Sequence, residues 1–485
     1  MSVMTLGVEF AAAADGSRGT TSTARSAVAQ ALRAADPVGA RAVEHETAWR
    51  SHYLHHFRRL VEAGLESPEA WRGIARAGLA AMDDRMVVVD DAGGEAPVTS
   101  LLDAPAGRTL ATAEIVGSSE PATELVLPYR GRRLHGQALR DQLDVWRTAG
   151  VLEPSAAEAV EEVMDHPEWL RLPGDTVAVL GAGAEMGPVV ALLGWGARVA
   201  AIDLPRPAMW ERLIRLAGDS AGTLLVPGDR EDPAARAGVD LLTEVPAIAD
   251  WLTALDGRLV VGNYVYADGG THVRLSVAAD LVGRRLLARR ADTALASLAT
   301  PTDVFAVPRE AVEHSNETYR NRSRTAKVVG RPLRWVTRGR LLHRAYPPDA
   351  DPGIADSLVP AQGPNYALAK RIQRWRATVA AEDGATVAFH VAPSTRTHSV
   401  VKNRALAAAF AGARRFGLEI FEPDTANTLM AALLVRDIAG GVGRHDHPWQ
   451  DEAHAAVHGG LWRAAYAPRS VLGLAAMMGY AASRR

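Results

Sequence analysis

Tyr366 and Lys370 stand four residues apart in the segment Asn365-Tyr-Ala-Leu-Ala-Lys-Arg-Ile-Gln-Arg-Trp-Arg376. On a helix that spacing puts both side chains on one face, within reach of each other. A tyrosine with an ordinary pKa near 10 is a poor acid–base group at neutral pH. An ammonium one turn away favours the phenolate and brings the phenol towards a working range. Lysine is also the rare choice in this chain: of 54 basic residues only Lys327, Lys370 and Lys402 are lysine. Arginine would supply charge too, but lysine is a compact donor that can also hold sugar hydroxyls. Lys327 and Lys402 have no comparable context and are expected at the surface.

A second cluster is built of glycine. Gly181-Ala-Gly-Ala-Glu-Met-Gly187 follows the apolar run Thr176–Leu180. Gly181, Gly183 and Gly187 allow a tight turn and close backbone approach to a pyrophosphate, and Glu185 and Met186 complete the loop. The helix that follows, running to about Gly194, would point free N–H groups at the anion. Asp203 closes the next apolar run, Arg198–Ile202, where a carboxylate accepts hydrogen bonds from two ribose hydroxyls and repels a 2′-phosphate. The expected cofactor is therefore NAD(H) rather than NADP(H), although Arg206 could accept a phosphate. Glu185 reads most simply as a solvent-facing helix-start residue. The loop and Asp203 would also suit a SAM-dependent methyltransferase, in which the Tyr–Lys pair has no role.

These side chains need a frame. Six short apolar runs ending near Leu180, Ile202, Val226, Val261, Ala299 and Val391 alternate with helical patterns, which predicts a Rossmann-like, doubly wound α/β parallel sheet. Ligands of such sheets bind beyond the carboxyl ends of the strands. Residues 1–20 read as a flexible tail and 21–172 as a mostly helical α+β domain. Residues 173–440 carry the sheet, and 441–485 an extension beside the substrate cleft. In the N-terminal part, strand-like runs fall at Met86–Val89, Ala111–Val116 and Glu124–Leu127, and helices at Gly136–Ala149 and Ser155–Met164.

With Tyr366 and Lys370 matching YxxxK, the chain resembles the short-chain dehydrogenase/reductase family over about Thr176 to Ile438. Thr386–Thr397 is similar to the family's strand and "VAPGxxxT" loop, which implies that Pro393 and Thr397 flank the nicotinamide. Gly222–Pro233 resembles the third-strand segment, implying that Asp229 meets the adenine. Asn263 stands where "NNAG" closes the fourth strand, and Phe421–Met430 resembles a late "PEdvA" helix start. The resemblance implies an NAD(P)-dependent oxidoreductase, with Tyr366 as acid–base and Lys370 lowering its pKa and holding the ribose. The family's serine is not at its usual distance before Tyr366. Thr300 is the candidate in its place, with Ser297, Thr302 and Ser357 behind it. The glycine pattern departs from TGxxxGxG at Leu180 and Glu185, which leaves room for a non-catalytic NAD-binding protein. An Arg-rich insertion at about 305–359, with Trp335, suits a lid.

Elsewhere, His445, His447, Asp451, His454 and His458 form the densest imidazole cluster. It is read as a polar loop by the cleft rather than a metal site, with His454 and His458 on one helix face. Arg371, Arg374 and Arg376 read as the solvated face of the Tyr–Lys helix. No cysteine is present, which excludes thiolate metal sites and cysteine nucleophiles. A net charge of −2 argues against nucleic acid or an acidic membrane as partner. With no leader or long apolar run in view, a cytoplasmic enzyme of a small-molecule substrate is expected, as a homo-oligomer.

Overall fold

The computed structural model describes residues 7–13, 15–229, 231–323, 332, 335, 337–338, 340–402 and 404–482. Lys327, expected at the surface, lies outside the described residues, as does part of the Arg-rich insertion.

The strands that matter for the site are β1 (Thr112–Val116), β2 (Asp175–Leu180), β3 (Arg198–Ile202), β4 (Thr223–Pro227), β5 (Arg258–Asn263), β6 (Ala294–Ala299), β7 (Val304–Val307), β8 (Gly353–Asp356) and β9 (Thr386–Val391). Seven of them form one sheet in the order β9-β6-β5-β2-β3-β4-β1. All pairs are parallel except β4 with β1, which is antiparallel. This is a doubly wound, Rossmann-like fold. The order in which strands are added reverses between β2 and β5, which opens a crevice at their carboxyl ends.

Parallel strands covered on both faces read as continuous apolar runs, and alternate residues then serve opposite layers. Ala178, Leu180, Ala200 and Ile202 join one core, while Val177, Val179, Val199 and Ala201 join the other. The first core is roofed by the helices Thr20–Leu32, Trp49–Gly64 and Pro68–Arg85, with the helices α1 (Gly270–Arg289) and α2 (Pro364–Glu382). The second core holds the helices Gly136–Thr148, Pro154–Asp165 and α3 (Pro423–Gly440). The region before residue 173 thus supplies a strand of the sheet and packs on both of its faces.

The apolar runs mark their strands to within about two residues. Glu124–Leu127 differs: the strand is Leu127–Tyr129, paired in a hairpin with Arg132–Leu134. Leu125 and Leu127 are buried, and that anchoring gives the run its strand-like look. No helix among the described residues is long and apolar enough to cross a membrane.

Candidate active site

The carboxyl end of β6 and the first turns of α2 converge. Thr300 follows β6 directly, and its hydroxyl stands near enough to the Tyr366 phenol to favour the phenol's charged form. Behind Thr300, Thr302 Oγ1 lies 2.8 Å from Thr300 Oγ1 and accepts from Gln362 Nε2 at 2.7 Å. Gln362 Oε1 in turn accepts the Val359 amide at 3.1 Å. Hydrogen bonds therefore run from Gln362 through Thr302 to Thr300, beside the phenol.

Tyr366 keeps part of its surface open, and its ring is walled by two others. His272 lies 5.5 Å away, centre to centre, and Tyr266 6.4 Å. Burial pushes the phenol up to about 12, with smaller contributions from Tyr266 and Asp303, against the lowering effect of the Thr300 hydroxyl. The Lys370 ammonium, expected to bring this pKa down, is bonded to other groups. Lys370 Nζ donates to the Leu298 carbonyl and to Gln373 Oε1, both at 3.1 Å, so a backbone acceptor and an amide hold the ammonium. Burial lowers the lysine itself to about 8, although Asp303 favours its charged form. Gln373 Nε2 reaches Asn263 Oδ1 at 3.4 Å, which ties the end of β5 to the lysine.

His272, Tyr266 and Gln362 did not stand out in the sequence. His272 is buried, and neither ring nitrogen makes a hydrogen bond of good geometry, Val265 being the nearest backbone partner. Burial, with help from the Lys370 charge, drives its pKa down to about 3 and keeps the imidazole neutral. A histidine at the start of α1 carries no local signal of this, because Tyr366 and Lys370, which act on it, come from a helix made much later in the chain.

The glycine loop sits at the crevice. Gly181 has a φ of +85°, and a Cβ there would meet the Tyr264 carbonyl oxygen at 3.0 Å. The Gly183 amide donates to Asp203 Oδ2 at 2.8 Å, and the Leu204 amide to Oδ1. A Cβ on Gly183 would approach that carboxylate at 3.2 Å, so glycine keeps the loop close to the acid. The next helix covers only Val189–Trp195, with Pro188 as its cap, and starts later than expected because the loop makes two tight turns first.

Glu185 is not a free surface residue. Its carboxylate accepts the His398 amide at 2.9 Å and contacts His398 Nδ1, and its carbonyl accepts from Asn427 at 3.4 Å. The turn holding Pro393 and Thr397 is thereby brought against the glycine loop. Asp229 is engaged within its own loop by Arg236 at 2.7 Å and by the Glu231 amide. The structure thus brings together Tyr366, Lys370, Thr300 and Asn263 in one group, and Gly181–Gly187, Asp203 and the 393–398 turn in another. The loop and Asp203 fit a dinucleotide's phosphates and ribose, with Glu185 as the discordant charge.

Three further readings change. Arg371 and Arg374 are 3% and 1% exposed, not solvated. Asp303 accepts from both, at 3.1 and 2.7 Å, and Glu452 takes the other side of Arg374. Arg376 pairs with Asp280. The helix Pro448–Ala453 ends before His454, so His454 and His458 share no helical face. His458 is fully buried against Glu153 at 3.0 Å, away from any open loop, while His445 pairs with Asp451. Ser357 is buried, and its amide donates to the Asp303 carbonyl at 3.1 Å, on the ribbon beyond Thr300.

No protein-family model and no curated protein matches the chain. Solved structures similar to it include an A-type ketoreductase from a modular polyketide synthase, at 15% identity and a TM-score of 0.31, covering 56% of this chain and 47% of that one. A thiolation–reductase di-domain from an archaeal non-ribosomal peptide synthetase follows at 13% identity and 0.28, covering 54% and 52%. An oxidoreductase of the short-chain dehydrogenase/reductase family from Burkholderia thailandensis gives 15% and 0.33, covering 59% and 92%. The chain spans about half the length of the first two. The strand order is the firmer ground for the fold.

Proposed function

We propose that the protein is an NAD(H)-dependent oxidoreductase working in the direction of carbonyl reduction. The observation that carries this is the hydroxyl row Gln362–Thr302–Thr300 at the carboxyl end of β6, beside a Tyr366 phenol that burial pushes above its ordinary pKa and Lys370 one turn along the same helix. Such a phenol is a weak base but a serviceable acid towards an alkoxide, a far stronger base. When bound, the dinucleotide would supply hydride to the carbonyl carbon. As the carbonyl π pair moves to oxygen, Tyr366 gives that oxygen its proton and becomes a phenolate. Thr300 donates to the phenolate, and the Lys370 ammonium on the same helix face favours its charge. Asp203 would take the adenosine ribose hydroxyls, the Gly181–Gly187 backbone the pyrophosphate, and Pro393 and Thr397 the nicotinamide side, with Asp229 towards the adenine.

The test is turnover of a panel of small aldehydes and ketones, followed by loss of reduced-nicotinamide absorbance. Tyr366→Phe should lower kcat/KM by about a thousandfold, the scale of a lost general acid, with NADH affinity by calorimetry unchanged. Full activity in that variant, or binding of SAM in place of NADH, would overturn the reading.

A further inference from the structure

The helix α4 (Pro468–Ala482) carries no charge after Arg469. Its inner side, with Val471, Ala475 and Gly479, is buried. Gly473, Met477 and Tyr480, spaced at i, i+4 and i+7, form the opposite side and are exposed, Met477 at 65% and Tyr480 at 54%. A helix on a protein surface ordinarily turns charged and polar side chains outward. One that stays apolar on its exposed side marks a contact with something else.

The neighbouring helix Arg404–Ala413 supplies the charge. A Cβ on Gly412 would strike the Ala475 carbonyl, and one on Gly479 the Ala408 carbonyl, so the two helices run antiparallel with their backbones nearly touching. Arg404 therefore lies towards the Tyr480 end of α4, and Arg415 towards its Arg469 end. Lys402, Arg404 and Arg415 are exposed and have no ion pair among the described residues, whereas Glu419 and Asp356 reach in to take Arg414 and Arg469. No Asp or Glu occurs from Gly384 to Leu418 or after Glu452, in a chain that holds 56 of them. The overall charge of −2 thus hides a local excess of cations around an uncharged stretch. Two copies of the chain meeting on this face would set cation against cation, because a two-fold contact brings the same patch to both sides. An anionic lipid surface meets both features: its headgroups take the cations, and its acyl boundary takes the apolar side.

We propose that α4 and the helix Arg404–Ala413 dock on the surface of an anionic lipid bilayer. Met477 and Tyr480 enter the acyl boundary, and Lys402, Arg404 and Arg415 meet headgroup phosphates. The pair lies on the bilayer and not through it, since no described helix is long and apolar enough to cross. The short helix His398–Lys402 joins this surface to the turn that Glu185 holds. The surface shares no residue with the proposed reductase centre, and its test needs no turnover.

Flotation of the full chain with lipid vesicles tests this. Vesicles of phosphatidylcholine and phosphatidylglycerol in equal parts should carry the protein, phosphatidylcholine alone should not, and added salt should release it. Arg404→Glu should weaken binding about thirtyfold, one attraction lost and one repulsion gained. Met477→Asp should weaken it about tenfold, by setting a carboxylate in the acyl boundary. Both side chains are exposed, so both variants should keep the parent's thermal midpoint. No binding to the mixed vesicles, or equal binding by the parent and both variants, overturns the proposal. Equal binding to the two kinds of vesicle overturns the role given to the cations. A dimer that Met477→Asp dissolves, without vesicle binding, gives the face to a second copy, and retention on polyglutamate without vesicle binding gives it to an acidic polypeptide. Either result overturns the lipid assignment.

Discussion

At the scale of single residues, the site places two titrations on one helix face and separates them widely. Tyr366 is held near 12 and Lys370 near 8, both by burial first. Below pH 8 the lysine is an ammonium and the phenol keeps its proton, the pair that the proposed reduction needs. The expected pH profile of carbonyl reduction is flat up to about 8 and then falls as Lys370 loses its proton. Lys370→Arg, charged at every accessible pH, should lose that alkaline limb while turning over more slowly. A limb unchanged in Lys370→Arg would assign it to another group. Tyr366, Lys370 and Thr300 were legible from the sequence because a four-residue spacing and a strand end are local facts. Gln362 and His272 were not, since each matters through a side chain remote in sequence.

At the scale of elements, α2 does two jobs that a linear reading could not separate. One face carries Tyr366 and Lys370, while Arg371 and Arg374 turn inward to Asp303 and Glu452. Arginine-rich helices usually face water, and only counter-ions from the β6–β7 turn and the helix Pro448–Ala453 make burial tolerable. Arg374→Ala leaves those carboxylates short of a partner and should cost about 3–5 kcal/mol, read as a lower urea midpoint with unchanged slope. The strands were legible because a parallel sheet covered on both faces writes itself as apolar runs. The loop after β2 was less so: its glycines announce a turn, but the fastening of Glu185 to His398 joins segments 213 residues apart. That contact keeps a carboxylate beside the expected pyrophosphate. Glu185→Gln should therefore tighten NADH severalfold in calorimetry, with a weaker salt dependence of binding than the parent.

At the scale of the whole molecule, the region before residue 173 is woven into the sheet. The helix Pro68–Arg85 crosses α2 so closely that a Cβ on Gly78 would lie 2.5 Å from the Trp375 ring. Glu153, buried at the head of the helix Pro154–Asp165, holds His458 at 3.0 Å and Arg463 at 2.6 Å from the far end of the chain. Burial alone would raise its pKa, but the His458 and Arg463 hydrogen bonds overcome that and hold the carboxyl at about 2. A depressed acid contributes stability that is complete above its unfolded pKa and is lost as pH falls towards the folded one. The thermal midpoint should thus drop between about pH 5 and 2 with a contribution from this group. Glu153→Gln should be less stable at neutral pH by about 3 kcal/mol and should show a shallower acid decline.

The same weaving has a consequence for synthesis. The helices between residues 20 and 85 leave the ribosome long before α2, the surface that covers them, and β1 emerges well before β4, the strand that pairs with it. The nascent chain must carry apolar helix faces until most of it has been translated, and an unpaired strand until nearly half of it has. Such chains gain little from folding domain by domain and much from a chaperone that shields early segments. Slower translation should therefore not raise the soluble yield of this protein, whereas added trigger-type or cage-type chaperone should.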